Sequence, residues 1–265
     1  MRLIVPENIG RYAAQLLKER MHGKKKFTLC LPTGSTSVDM YKNFRALVDA
    51  GKMSFKNVTT FNMDEYIGIE ADCPQSYCTF MRQHLFNYVD IKPENAHMPD
   101  GNAKDVAAEC IDYEEKIKKA GGLDLVFGGV GENGHIAFNE PYSSLNGRTH
   151  KVFLTESTIK ANSRFFTPPD MPPTTAITVG MGTIMDAKEV VILVTGFKKA
   201  EALRAAIEGP VCSKWVISAL QLHPKAVIVA DQAACTNLEP STFEYFKNLK
   251  DEYSEIEELC KKDLC

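Results

Sequence analysis

The chain has 265 residues, of which 44% are hydrophobic and 25% charged, and its formal net charge is −3. That is enough chain to bury a large core at an ordinary globular composition, and the charge leaves no basic footprint for nucleic acid. The opening MRLIVPENIGRYAAQ has too short an apolar run for a secretory leader, and no stretch approaches the roughly 20 apolar residues of a membrane helix, so a cytoplasmic protein is expected.

Short apolar runs fall at residues 27–31, 58–61, 123–127, 190–195 and 226–230, and alternate with amphipathic stretches such as 38–50 and 103–119. Continuous runs of this length, rich in Val, Leu and Ile and separated by helices, predict a layered α/β fold whose parallel sheet is covered on both faces. One domain over residues 1–250 is expected, without a linker. A charged tail, 251–265, reads as a frayed helix that exposes Cys260 and Cys265. The eight cysteines, at 30, 73, 78, 110, 212, 235, 260 and 265, lack CxxC spacing and read as reduced thiols. Ligands of such sheets bind beyond the carboxyl ends of the strands, so the residues after each run hold the candidate chemistry.

The first run leads into Pro32-Thr33-Gly34-Ser35-Thr36-Ser37 and then a helix. Backbone N–H groups beside hydroxyls at a helix start suit a phosphate, although the same residues could simply cap the helix. The second run ends in Asn62-Met63-Asp64-Glu65-Tyr66. A partly desolvated acid there could act as a general base, and the alternative is a solvated or capping role for both acids. The third run opens GGVGENGHIAFNEP, residues 128–141, where glycines permit sharp turns and close approach to a ligand. His135, with an ordinary pKa of about 6.5, is followed five residues later by Glu140, which could orient it; this suits a proton shuttle, and a purely structural histidine is the alternative.

Gly129, Gly131 and Gly134 also satisfy the dinucleotide-binding pattern GxGxxG. Pro141 would interrupt the crossover helix that pattern needs, and no acid follows at the end of a second strand. After the fourth run come Gly196-Phe197-Lys198-Lys199 and another helix. Two cations at a helix start oppose the macrodipole by about 0.3–1 kcal/mol each unless an anion lies nearby. Lys198 reads as a solvated lysine and Lys199 as a phosphate contact. No set of His, Cys, Asp and Glu shows metal-ligand spacing, so no essential metal is expected, and there is no GxSxG elbow. What is left suits proton transfers on a small phosphorylated molecule.

Four segments together, LPTGSTS at 31–37, FNMDEYIG at 61–68, GHIAFNEP at 134–141 and ANSRFF at 161–166, closely resemble the glucosamine-6-phosphate deaminases. The likeness runs in one order from residue 2 to about 249 and includes SSLNGRT, AITVGMGT, GFKKAEAL and ISALQLHPKA. It implies a three-layer Rossmann-like α/β fold and conversion of D-glucosamine 6-phosphate and water to D-fructose 6-phosphate and ammonia, without an organic cofactor. By the same resemblance Asp64 takes the proton from carbon 2, His135 moves a proton at the ring oxygen, and Glu140 orients His135. Thr33, Gly34, Ser35 and Thr36 would seat the phosphate between Arg164 and Lys199. The related 6-phosphogluconolactonases share a glycine-rich turn with histidine but continue without FNEP.

Two departures from the family pattern carry expectations. Asn133 stands where many members have aspartate, leaving Glu140 as the only obvious carboxylate beside His135. Asn133→Asp should therefore keep activity. Ser144, His150, Lys151 and Tyr245 fall in the segments of the activator site of regulated members, but His150 and Val152 replace its basic residues. Activation by N-acetylglucosamine 6-phosphate is expected to be reduced or absent. Family members occur as monomers and as hexamers, so a homo-oligomer is compatible with the sequence.

Overall fold

The structure, a computed structural model, describes residues 1–166 and 171–262. In chain order its elements are β1 (Arg2–Ile4), α1 (Ile9–Met21), β2 (Phe27–Leu31), α2 (Ser35–Asp49), β3 (Val58–Asn62), β4 (Asp64–Tyr66), α3 (Tyr77–His84), β5 (Ala96–His97), α4 (Val106–Lys119), β6 (Leu125–Gly129), β7 (His150–Phe153), α5 (Glu156–Asn162), β8 (Thr175–Thr178), α6 (Met181–Met185), β9 (Val190–Val194), α7 (Ala200–Ile207), β10 (Ala226–Ala230), α8 (Pro240–Asn248) and α9 (Glu252–Lys262). Seven strands form one sheet in the order β1-β10-β9-β6-β2-β3-β5, with every neighbouring pair parallel. The other three form a small antiparallel sheet, β4-β8-β7.

Alternation along the strands builds two cores. Val190, Ile192, Val194 and Ile228 pack on one side with Tyr113 of α4, Ile184 of α6 and Leu203 of α7. Val191, Leu193, Val227 and Val229 pack on the other with Leu16 of α1, Phe44 of α2 and Ile256 of α9. Both faces are dry, which is why these strands read as unbroken apolar runs. This is the three-layer α/β architecture, with the parallel sheet in the middle.

The strand order also locates the crevice. From β2 the chain steps outward through β3 to β5, then returns to the other side of β2 for β6, β9 and β10. The order therefore reverses between β2 and β6, the switch point at which parallel sheets leave room for a ligand. β2 and β6 pair only at Leu29/Leu125 and Cys30/Val126, although both strands run on past that point.

Three features differ from the sequence reading. The third strand is displaced two residues, to Leu125–Gly129, because Asp124 turns aside: its carboxylate accepts the Thr28 N–H at 2.8 Å and an Nζ–H of Lys188 at 2.6 Å. Gly128 lies inside the strand, where a Cβ would stand 2.7 Å from Cδ1 of Ile192. The small sheet was not predicted. Finally, the described part of the tail is anchored rather than frayed: α9 packs on α1 with Tyr253 and Ile256 buried, and Arg20 bridges Glu189 at 2.6 Å and Glu252 at 3.0 Å. Cys260 is half-buried there, and Cys265 lies outside the described residues.

Candidate active site

Asp64 and Glu65 are adjacent, buried and different. The Glu65 carboxylate accepts three backbone N–H groups, from Tyr66 at 2.9 Å, Tyr77 at 3.1 Å and Cys78 at 2.9 Å. The last two open α3, so Glu65 caps that helix. Asp64 is 7% exposed and accepts no hydrogen bond from the described residues. Burial, and then the neighbouring Glu65 charge, push its carboxyl up to about 8. Of the two acids, Asp64 is the one with lone pairs to use.

The glycine turn after β6 shapes the second group. The backbone N–H of Gly131 donates to the His135 carbonyl at 2.9 Å, and that of Gly134 donates back to Gly131 at 3.0 Å. Gly134 has φ +84° and lies against Trp215, whose Cε3 would be 2.6 Å from an added Cβ. No helix follows directly: residues 136–139 make a tight bridge, Ala137 takes φ 52°, and the chain runs on to β7. That removes the packed crossover helix of a dinucleotide site.

Nδ1 of His135 faces Oε2 of Glu140 at 3.4 Å, longer than a well-formed hydrogen bond, and has no other partner. Glu140 is nearly buried and held from both sides. Asn133 Nδ2 donates to Oε2 at 2.8 Å, while the Thr158 hydroxyl and, at 3.4 Å, the Thr155 N–H donate to Oε1. Burial alone would raise this carboxyl, but His135, Thr158 and Asn133 outweigh it and hold it at about 2. Asn133 is thus a donor to Glu140, not a substitute for a second carboxylate. Thr155 and Thr158 carry no sequence signal beyond the Thr155 cap of α5.

The end of β8 ties Asp64 to the loop of His135. Thr178 pairs with Asp64 in the small sheet, and its hydroxyl accepts the Phe138 N–H at 3.0 Å. Val179 donates to the Met63 carbonyl at 2.7 Å, and its own carbonyl accepts Nδ2 of Asn139 at 2.8 Å. A strand with no signature of its own therefore joins Asp64 to the loop that carries His135.

At the cationic end, Gly34 takes φ 95° as the N-cap of α2, and the Ser37 hydroxyl donates to its carbonyl at 2.8 Å. Thr33, Gly34 and Thr36 are half-buried and Ser35 is exposed. Thr36 Oγ1 lies 3.1 Å from Oγ1 of Thr195, linking the loops after β2 and β9. Lys199 ends a 3-10 turn before α7 and is half-buried; burial lowers its pKa, the Glu132 charge opposes that, and the Arg164 and Lys198 charges lower it further. Lys198 is exposed, 3.7 Å from Glu132. Arg164, on the 3-10 turn after α5, lies over the Phe165 ring at 4.7 Å.

Ser144, His150, Lys151 and Tyr245 each have surroundings of their own. The Ser144 hydroxyl accepts the Asn146 N–H, His150 Nδ1 lies 2.8 Å from the Arg148 carbonyl, Lys151 lies over Phe153, and Tyr245 is exposed on α8. Among the described residues no hydrogen bond joins any two of the four, and no group of His, Cys, Asp and Glu could hold a metal ion. No described helix is long and apolar enough to cross a membrane.

Residues 5–233 match the model of the glucosamine-6-phosphate isomerases/6-phosphogluconolactonase family. The chain is 49% identical to a glucosamine-6-phosphate deaminase of Parabacteroides distasonis over 262 residues, covering 96% of this chain and 97% of that one. It is 46% identical to one of Bacteroides fragilis, covering 98% and 100%. A solved monomeric glucosamine-6-phosphate deaminase superposes with a TM-score of 0.87 at 36% identity, covering 90% of this chain and 100% of that one. The 6-phosphogluconolactonase of Thermotoga maritima shares the fold, with a TM-score of 0.69 at 19% identity, covering 87% and 100%. On these matches the chain belongs to the family of glucosamine-6-phosphate isomerases and 6-phosphogluconolactonases.

Proposed function

We propose that the protein is a glucosamine-6-phosphate deaminase, converting D-glucosamine 6-phosphate and water to D-fructose 6-phosphate and ammonia. The observation that carries the chemistry is the pair of separate proton-transfer groups, an unbonded buried Asp64 and a His135–Glu140 pair, joined across β8. A lactone hydrolysis needs no base at a carbon acid, whereas moving a proton between carbons 2 and 1 does. His135 transfers the proton that opens the sugar ring, with Glu140 holding the imidazole. Asp64 then takes the carbon 2 proton and returns it to carbon 1; carbon 2 becomes an imine, which water hydrolyses to the ketone with loss of ammonia. Thr33, Gly34, Ser35 and Thr36 with Arg164 and Lys199 bind the phosphate, and that remote contact holds the reacting carbons in register.

The compartment fits the cytoplasm: none of the seven cysteines among the described residues is in a disulfide. The replacement of basic residues by His150 and Val152 supports weak or absent activation by N-acetylglucosamine 6-phosphate. The test of the central reading is ammonia release from glucosamine 6-phosphate, run beside Asp64→Asn. Turnover by the parent and loss in the variant are expected; no ammonia from the parent, or undiminished release by the variant, overturns it.

A further inference from the structure

Asp64 has an unusual electrostatic setting for a carboxylate. Five titratable side chains feel its charge from the surrounding elements: Cys30 of β2, Tyr41 of α2, Tyr66 of β4, Tyr77 of α3 and Tyr113 of α4. All five are thiols or phenols pushed upward, chiefly by burial, and are therefore neutral across the working range. No Lys, Arg or His side chain among the described residues pairs with it. The one charged neighbour is Glu65, 4% exposed and fixed by three backbone N–H groups. Burial raises the Glu65 carboxyl, but those N–H groups oppose the rise, and Asp64 has no comparable donors. Glu65 therefore ionises first, and its charge stays in place.

Resting on the reading of Asp64 as the base, we propose that Glu65 is a positioning residue for the reaction: its helix-capping carboxylate locks β4 to the start of α3 and keeps a fixed negative charge beside Asp64. Two carboxyls this close and this dry share the cost of ionisation unequally, and the one without hydrogen-bond donors keeps its proton longer and binds it more tightly. A base that binds its proton tightly takes one from carbon more effectively, provided the pH is high enough to empty it. Glu65 thus sets how strong a base Asp64 is, while touching only backbone itself.

The test is the pH dependence of kcat/KM for ammonia release by the whole enzyme and by Glu65→Gln, Glu65→Asp and Ser76→Ala. Ser76 caps the same helix, its hydroxyl accepting the Thr79 N–H at 3.0 Å, but it carries no charge. Glu65→Gln is expected to move the acid limb to lower pH by about one unit and to lower the alkaline plateau several-fold. Glu65→Asp should restore the limb, and Ser76→Ala should leave it in place. An unmoved limb in Glu65→Gln, or an equal movement in Ser76→Ala, overturns the proposal. A second readout needs neither activity nor a variant: the carboxyl carbon of Asp64, followed by NMR in the free wild-type enzyme, should titrate well above the ordinary aspartate range, and titration near 4 overturns the proposal even if Glu65→Gln fails to fold. If Asp64→Asn keeps full turnover, the functional reading itself fails instead.

Discussion

The imidazole of His135 occupies the space that any side chain at position 131 would need: a Cβ on Gly131 would overlap the ring at Cε1, Nδ1 and Nε2. Gly131 takes an ordinary backbone conformation, so its lack of a side chain serves the ring and not the turn. Gly131→Ala is expected to displace His135 from Glu140 while leaving the sheet intact. Ammonia release should fall about 100-fold in kcat, with the far-ultraviolet circular dichroism unchanged.

Glu140 meets His135 on one oxygen and α5 on the other, so Glu140→Gln removes the charge behind the imidazole and inserts an N–H₂ group that must face either Asn133 or Thr158. A loss of about 100-fold in kcat is expected, with KM little changed. Asn133→Asp behaves differently. It replaces the donor at 2.8 Å from Oε2 with a second carboxyl, and two carboxyls at that distance share a proton. Turnover should persist, since a proton still lies between them, but melting temperature should fall and depend more steeply on pH than in the parent.

The setting of Asp64 fixes the sign of two pH effects. A base that titrates at about 8 is empty only above that pH, so kcat/KM should rise through about 8, and Asp64→Asn should lose at least about 1000-fold. Because the folded carboxyl lies above its unfolded value of 3.8, its contribution to stability is complete below that value and is lost as pH rises through about 8. Asp64→Asn should therefore exceed the parent in melting temperature most at pH 9, less at pH 6 and least near pH 4. Glu140 has the opposite sign: held at about 2 against 4.5 unfolded, it contributes stability above 4.5 that is lost as pH falls toward 2. A calorimetric pH series on the two variants separates these effects.

Truncation after residue 251 removes Tyr253 and Ile256 from the core beneath α1, and takes Glu252 away from Arg20. Two buried apolar side chains correspond to about 3–5 kcal/mol of lost stability. Urea unfolding should show that loss, while the folded fraction keeps its kcat, because α9 lies away from the strand ends that carry Asp64 and His135.

The parallel sheet was legible because strands buried on both faces must be apolar throughout; residues 27–31 and 226–230 coincide with β2 and β10. Asp64, His135 and Lys199 lie beyond the ends of β3, β6 and β9, where the rule that ligands bind outside strand ends directs attention. The small sheet was hidden for a physical reason: β4 reads DEY and follows β3 after one residue, and half of β7 faces solvent, so neither carries an apolar run. The contrast between a bonded Glu65 and an unbonded Asp64 could not be read either, since it depends on α3 arriving from 12 and 13 residues downstream to claim the Glu65 oxygens. The tail misled because its charges are conspicuous, while the two side chains that anchor it are isolated among them.

Arg2 ties together parts of the chain that lie 249 residues apart. Its guanidinium donates to the Phe246 and Leu249 carbonyls and pairs with Asp251 at 2.8 Å, while β1 lies beside β10. The middle of the sheet can therefore form early, but β1 must wait, its guanidinium in water, for partners up to 249 residues further along the chain. Closing so wide a loop is slow. Docking of β1 onto β10 should therefore be among the last steps of folding.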